Sequence, residues 1–292
     1  MVEVESSQGR GAALDAIRIS DNKPVQLKVV DRLVDSDELR VGLYFSSEET
    51  IANPRNHCVP IYDVLAVPGK EQDIIVMPLL RPFSKPDFDT VGEVLDFIRQ
   101  IFEGIQFMHE HHTAHRDISD LNIMMDGDSL YPEGWHPILP EFPREFSPTT
   151  KLYAKRTGIR DVLARWPTLD YLRGGDRSPP EHDRTHKAAN PFPTDIYFLG
   201  NLICRTWTKS KNATTQRRFA FLTPLVNDMV QKDPIKRPTI DEVCLRFDEL
   251  WRRQPTYTFR AAPYGLGYTP ATFNPEASHA SSSLTTKPIV LY

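Results

Sequence analysis

The run His115-Arg116-Asp117-Ile118-Ser119-Asp120-Leu121-Asn122 constrains this chain more than any other feature. It stands between two apolar patterns of different period. Ahead of it, Val94, Ile98, Ile101, Phe102, Ile105 and Met108 fall on one face of a helix. Behind it, Asn122-Ile123-Met124-Met125-Asp126 is too short for a helix and reads as a strand. The polar run is therefore a tight loop between two buried elements, which hold its His, Arg, Asp and Asn in place.

The rest of the chain divides into a strand-rich front and a helix-rich back. Ala16–Ile19 and Val25–Val30 read as strands joined at Asp21-Asn22-Lys23. A helix is expected over 36–50, opened by a Ser or Asp cap. Val59–Val67 and Asp73–Leu80 are two further strands, turned at Pro68-Gly69-Lys70. Lys151–Lys155 is a further short strand candidate. Ile196–Trp207, Phe219–Gln231 and Ile240–Trp251 read as helices. This order predicts an α+β chain in two segregated lobes. We expect a flexible N-terminus at 1–13, a small lobe at 14–80, a large lobe at 81–252 with an insert at about 127–150, and an irregular tail at 253–292 rich in Pro, Gly and Ser.

Charge excludes little but is informative. With 35 basic and 39 acidic residues the net charge is −4, which gives no reason to expect nucleic acid or a membrane surface as partner. No run of about 18 apolar residues offers a membrane span. Met1–Gly11 lacks the apolar centre of a signal peptide. Cys58, Cys204 and Cys244 are odd in number and sit in apolar surroundings, as reduced thiols of an intracellular protein would, cytoplasmic or nuclear.

The segment Ala114–Asp126 resembles the catalytic loop of eukaryotic protein kinases, H-R-D-L-x-x-x-N, with Ile118 in place of Leu. Three later phrases follow in the family's order. Pro179-Pro180-Glu181 stands where kinases have Ala-Pro-Glu. Asp195-Ile196-Tyr197-Phe198-Leu199-Gly200 resembles the start of the central buried helix. Asp233-Pro234-Ile235-Lys236-Arg237-Pro238-Thr239 resembles the late Asp-Pro-x-x-Arg-Pro-Thr segment. The resemblance implies a bilobal fold with ATP and magnesium between the lobes. By it, Asp117 is the catalytic base and Asn122 a magnesium ligand. Asp195 bonds the backbone near His115 and Arg116, and Glu181 pairs with Arg237. Val25-Gln26-Leu27-Lys28 resembles Val-Ala-Ile-Lys, which puts Lys28 on the α- and β-phosphates. Val76-Met77-Pro78-Leu79-Leu80 resembles the hinge: Met77 closes the back of the adenine pocket, Pro78 removes one backbone donor, and Leu80 supplies the adenine contact.

The pattern breaks in four places. Ser119 stands where Ser/Thr-type kinases usually carry Lys. Gly9 and Gly11 are all that matches a glycine-rich loop. The glutamate that should pair with Lys28 is ambiguous, with Arg40 in the best register and Glu38 half a turn away. No Asp-Phe-Gly occurs. If Lys151–Lys155 is the strand preceding that motif, Arg156-Thr157-Gly158 replaces it, 25 residues before Glu181. Leu169-Asp170-Tyr171 leaves only 11. Arg156 near the phosphates would support nucleotide binding while impairing transfer; with the segment moved away from the cleft, Arg156 would be merely exposed.

The phrases Arg55-Asn56-His57-Cys58-Val59-Pro60-Ile61, Met77-Pro78-Leu79-Leu80-Arg81-Pro82-Phe83 and Asn190-Pro191-Phe192-Pro193-Thr194-Asp195-Ile196-Tyr197 are similar to those of an expanded fungal group of kinase-like proteins with a shortened small lobe. Three functions follow as expectations: a Ser/Thr-type protein kinase with impaired transfer, a pseudokinase acting as scaffold or allosteric partner, or a small-molecule phosphotransferase of kinase-like fold. The partner expected is a protein substrate or a protein effector.

Overall fold

The computed structural model describes residues 13–33, 36–128, 130–131, 134–135, 142, 162–164, 178–182 and 190–264. It begins with a four-stranded antiparallel sheet. Strand β1 (Ala13–Arg18) turns at 19–22 into β2 (Lys23–Asp31), and the sheet order is β1-β2-β4-β3, with β3 at Asp63–Ala66 and β4 at Gln72–Pro78. Register decides which side chains share a face. Lys28 lies opposite Ile75, Gln26 opposite Met77 and Val30 opposite Asp73. Directly opposed residues point the same way, so Lys28 shares a face with Val30, Ile75 and Met77, all three in the main core. The other face, with Ala16, Val25, Leu27 and Val76, forms its own cluster.

Helix α1 (Ser36–Phe45) follows β2. The single helix expected over 36–50 breaks at Ser46 and resumes as a short α2, Glu48–Ile51. The hydroxyls make the break. Ser46 Oγ donates to the Gly42 carbonyl at 2.8 Å and accepts from the Ile61 amide at 2.8 Å. Thr50 Oγ1 donates to the Tyr44 carbonyl at 2.7 Å. The strand expected over 59–67 is likewise shorter. Only Asp63–Ala66 pairs with β4, and Val59 instead buries its side chain in the core.

The large lobe is built on α3 (Val91–Glu110). Thr90 caps it by accepting from the Glu93 amide at 3.1 Å. Its apolar stripe enters a core that runs from Val30, Phe45 and Met77 in the sheet lobe to Phe219 and Phe247 at the far end. The two lobes therefore share one continuous core. Helix α4 (Phe192–Ile203) runs into a π-helical turn, Cys204–Thr208. Then come α5 (Ala213–Arg218), α6 (Thr223–Met229), α7 (Ile240–Arg252) and α8 (Thr256–Arg260). Gly200 is where α4 meets α6. A Cβ there would lie 2.7 Å from Met229 Cβ and 2.9 Å from Val230 Cγ1. Helix α8 lies in the stretch read from sequence as an irregular tail. It packs on α3, with the Val91 amide donating to the Ala261 carbonyl at 2.8 Å and Phe259 against Gly92 and Trp251.

A second sheet sits between the lobes. Strand β5 (Arg81–Pro82) pairs with β6 (Ile123–Met125), which pairs with β7 (Val162–Ala164). The strand beside Ile123–Met125 is Val162–Ala164, and the strand candidate Lys151–Lys155 lies outside the described residues. The start of the β6–β7 connection folds onto the segment after β4. Leu130, Tyr131 and Trp135 cluster with Leu79, and the Arg81 guanidinium lies 4.9 Å from the centre of the Tyr131 ring. The fold is the α+β, two-lobed arrangement that the kinase resemblance implies.

Candidate active site

The loop after α3 is held from below by one buried carboxylate. Asp195, in the first turn of α4, accepts from the His115 amide through Oδ2 and from the Arg116 amide through Oδ1, both at 2.7 Å. His109 Nε2 bonds Oδ2 as well, at 2.8 Å. Asp195 and His115 are fully buried. Buried carboxylates persist when donors satisfy them, and here three do. They hold a strained backbone: Arg116 has φ +66°, a left-handed conformation that a residue with a Cβ adopts at a cost. His109 was not singled out by sequence. Its signal was a histidine in the last turn of the long helix.

The strained turn presents the next residues. Ile118 is buried and anchors the loop in the core. Asn122 Nδ2 donates to the Asp117 carboxylate at 2.7 Å and to the Asp117 carbonyl at 2.8 Å. Asn122 and Asp117 thus brace each other. With its amide nitrogen committed to Asp117, Asn122 has its side-chain oxygen to offer a cation. Among the described residues no group of three or more His, Cys, Asp or Glu side chains could hold a metal ion. A hard dication needs several oxygens, carboxylates among them. Asn122 supplies one, so the described part of the site fits magnesium only as a partial shell.

In the small lobe the ambiguity at α1 is resolved. Lys28 Nζ pairs with Glu38 Oε1, and Glu38 is buried. Arg40 is exposed and pairs with Asp37 on its own helix, 3.1 Å away. Arg40 therefore does not face Lys28, contrary to the register that best matched by sequence. The lobes are tied behind this pair. His57 Nε2 meets Glu103 of α3 at 2.9 Å, and Arg55 meets Glu110 of α3 at 2.7 Å. These ties lie in one of the phrases that carried the fungal resemblance, but the sequence did not name their partners.

Met77 and Leu80 are both buried in the main core. The Leu79 amide between them donates to the Pro24 carbonyl at 3.3 Å, which commits that donor to the sheet. In the large lobe Arg237 is fully buried and reaches Glu181 twice, at 2.5 and 2.8 Å, with the Pro193 and Gln231 carbonyls as further acceptors. Burial pushes the Glu181 carboxyl up, and the bonds from Arg237 and Thr194 more than offset this, leaving it below its ordinary value. Gly9, Gly11, Arg156, Thr157, Gly158 and Asp170 lie outside the described residues. Burial pushes the Cys58 thiol well above its ordinary value and the Cys244 thiol up to about 12.

A groove of about 490 Å³ opens beside α1, lined by Arg40, Tyr44, His111, Arg116 and Pro191 among others. Lys28, Asp117 and Asn122 do not line it, so it is a separate concavity.

No family model matches the chain, and no curated protein does. Among solved structures, the crystal structure of Rad53 1-466 in complex with AMP-PNP is similar at 16% identity with a TM-score of 0.47. The similarity covers 83% of this chain and 62% of that one, so this chain spans under two thirds of its length. A likeness that distant adds nothing to the strand pairings and side-chain contacts described above, on which the two-lobed α+β fold stands.

Proposed function

We propose that this chain is an ATP-dependent phosphotransferase of the protein-kinase type that acts on a hydroxyl of a protein substrate. The observation that carries the reading is the Lys28–Glu38 pair. Burying a carboxylate to hold one lysine on the inner face of a sheet is weak as a stabilising device, since desolvation offsets much of the attraction. It is effective as a way to aim an ammonium group at phosphate.

The kinase resemblance then implies the roles. Lys28 would neutralise the α- and β-phosphates, and Met77 and Leu80 would bound the adenine. Asp117, braced by Asn122, would orient the substrate hydroxyl and take its proton as the oxygen attacks the γ-phosphorus and the bond from that phosphorus to the β–γ bridging oxygen breaks, releasing ADP. Magnesium, when bound, supplies positive charge where the transferring phosphoryl group develops negative charge. Asn122 would hold it through its side-chain oxygen.

The pairing of Val162–Ala164 with Ile123–Met125 bears on the second metal ligand. That ligand belongs after the strand beside Ile123–Met125. The reading of Arg156 as its replacement depends on Lys151–Lys155 being that strand, and the observed pairing does not support it. Downstream of Ala164 the first carboxylate in the sequence is Asp170, and we assign it the second ligand. Ser119, in place of the usual Lys, leaves the γ-phosphate with one cation fewer, so transfer is slow.

The test is transfer of labelled phosphate to a mixed set of serine and threonine peptides. Parent protein should transfer slowly and measurably, and Asp117→Asn and Lys28→Met should each abolish it. If Asp117→Asn transfers as fast as the parent, the assignment of the base is wrong.

A further inference from the structure

One stretch of the large lobe is charged unlike the rest of the chain. Between Asp195 and Asp228 there is no Asp or Glu, while Arg205, Lys209, Lys211, Arg217 and Arg218 all fall there. The whole chain has net charge −4. Structure gathers these cations. Arg205 leaves the π-helical turn Cys204–Thr208, Lys209 follows it directly, and α5 packs against that turn. Arg205, Lys209, Lys211 and Arg217 are exposed. Among the described residues none of the five makes an ion pair, whereas Arg99, Arg237, Arg246, Arg252 and Arg253 elsewhere in the lobe all do.

A solvated surface accounts for one exposed lysine. It does not account for the exclusion of every carboxylate from this stretch. Exposed cations without counter-charges make a surface complementary to negatively charged oxygen.

We propose that the π-turn and α5 form a docking surface for an acidic segment of a protein partner, whose carboxylates pair with Arg205, Lys209, Lys211 and Arg217. A short peptide fits better than a nucleic acid, because the patch is local and the remainder of the molecule is net negative and would repel an extended polyanion. The surface is separate from Asp117, and binding to it needs no nucleotide, so the proposal does not depend on phosphoryl transfer.

The experiment uses the full chain without nucleotide and a fluorescent peptide of about ten residues alternating Glu and Gly, read by anisotropy at about 50 and 200 mM salt. The expected result is saturable binding that weakens with salt. Lys209→Glu with Arg217→Glu should weaken it by about tenfold or more, since two attractions become repulsions. Lys209→Gln with Arg217→Gln should weaken it by less and in the same direction. Arg252→Glu with Arg253→Glu, on exposed positions at the C-terminal end of α7, should leave it unchanged. The proposal is overturned if the parent shows no saturable binding, if the α7 pair weakens binding as much as the patch pair, or if oligothymidylate displaces the peptide more effectively than unlabelled peptide does at equal charge.

Discussion

Asp195 is the residue on which the geometry of the site turns. Its two oxygens accept three hydrogen bonds, and one of them pins Arg116 at φ +66°. Asp195→Ala leaves two buried amides unsatisfied and frees the strained turn. It should cost about 3 kcal/mol or more in urea unfolding, because bonds to a charged group exceed neutral ones. Glu181 and Arg237 make the second test at this scale. Removing the guanidinium leaves a buried carboxylate unpaired, so Arg237→Ala should cost about 3–5 kcal/mol. This pair also sets a pH dependence. A carboxylate with a depressed folded pKa stabilises the fold above its unfolded pKa, and the stabilisation is lost as pH falls through the folded pKa. The ordinary value here is 4.5. Between pH 7 and pH 3.5, thermal midpoints of parent and Glu181→Gln should therefore converge, all of the convergence falling below about 4.5. A constant gap would mean that Glu181 does not feel Arg237.

At the scale of elements, long periodic stretches were legible and short or polar-punctuated ones were not. The stripe from Val94 to Met108 specified α3, and the apolar run Val25–Val30 specified β2. The helix over 36–50 failed because propensity does not see that Ser46 and Thr50 spend their hydroxyls on backbone carbonyls and so turn the chain. The strand beside β6 was not singled out, because Val162–Ala164 is only three residues long and pairing alone reveals it. Helix α8 was missed because a stretch of five residues is below what periodicity can show. Two changes probe element packing. Gly200→Ala forces a Cβ into α6 and should destabilise by about 1–3 kcal/mol. Thr239→Ala removes one half of the capping box with Glu242 at the start of α7 and should cost about 1 kcal/mol. Both are read by urea midpoints at unchanged slope.

In the whole molecule the site is assembled from both lobes, which one core and several polar ties hold together. Lys28 comes from the sheet, Asp117 and Asn122 from the loop after α3, and the ties at His57 and Arg55 fix one lobe on the other. Motif residues were legible because each lies in a fixed-spacing phrase: Asp117 with Asn122, Glu181 ahead of Asp195, Arg237 between two prolines. The choice between Glu38 and Arg40 was not, because half a helical turn reverses which side chain faces the sheet and spacing alone tolerates both. Arg156 and Asp170 both lie outside the described residues, so the choice between them rests on the pairing of β7 with β6. The central claim is a nucleotide site that uses magnesium, and one titration tests it most directly. ATP binding is measured by calorimetry with magnesium and with chelator, on the parent, Asp170→Asn and Arg156→Asp. The account predicts that magnesium tightens binding to the parent by about tenfold or more, that Asp170→Asn removes this dependence, and that Arg156→Asp leaves it unchanged. Binding to the parent that ignores magnesium, with the dependence appearing only in Arg156→Asp, would contradict it.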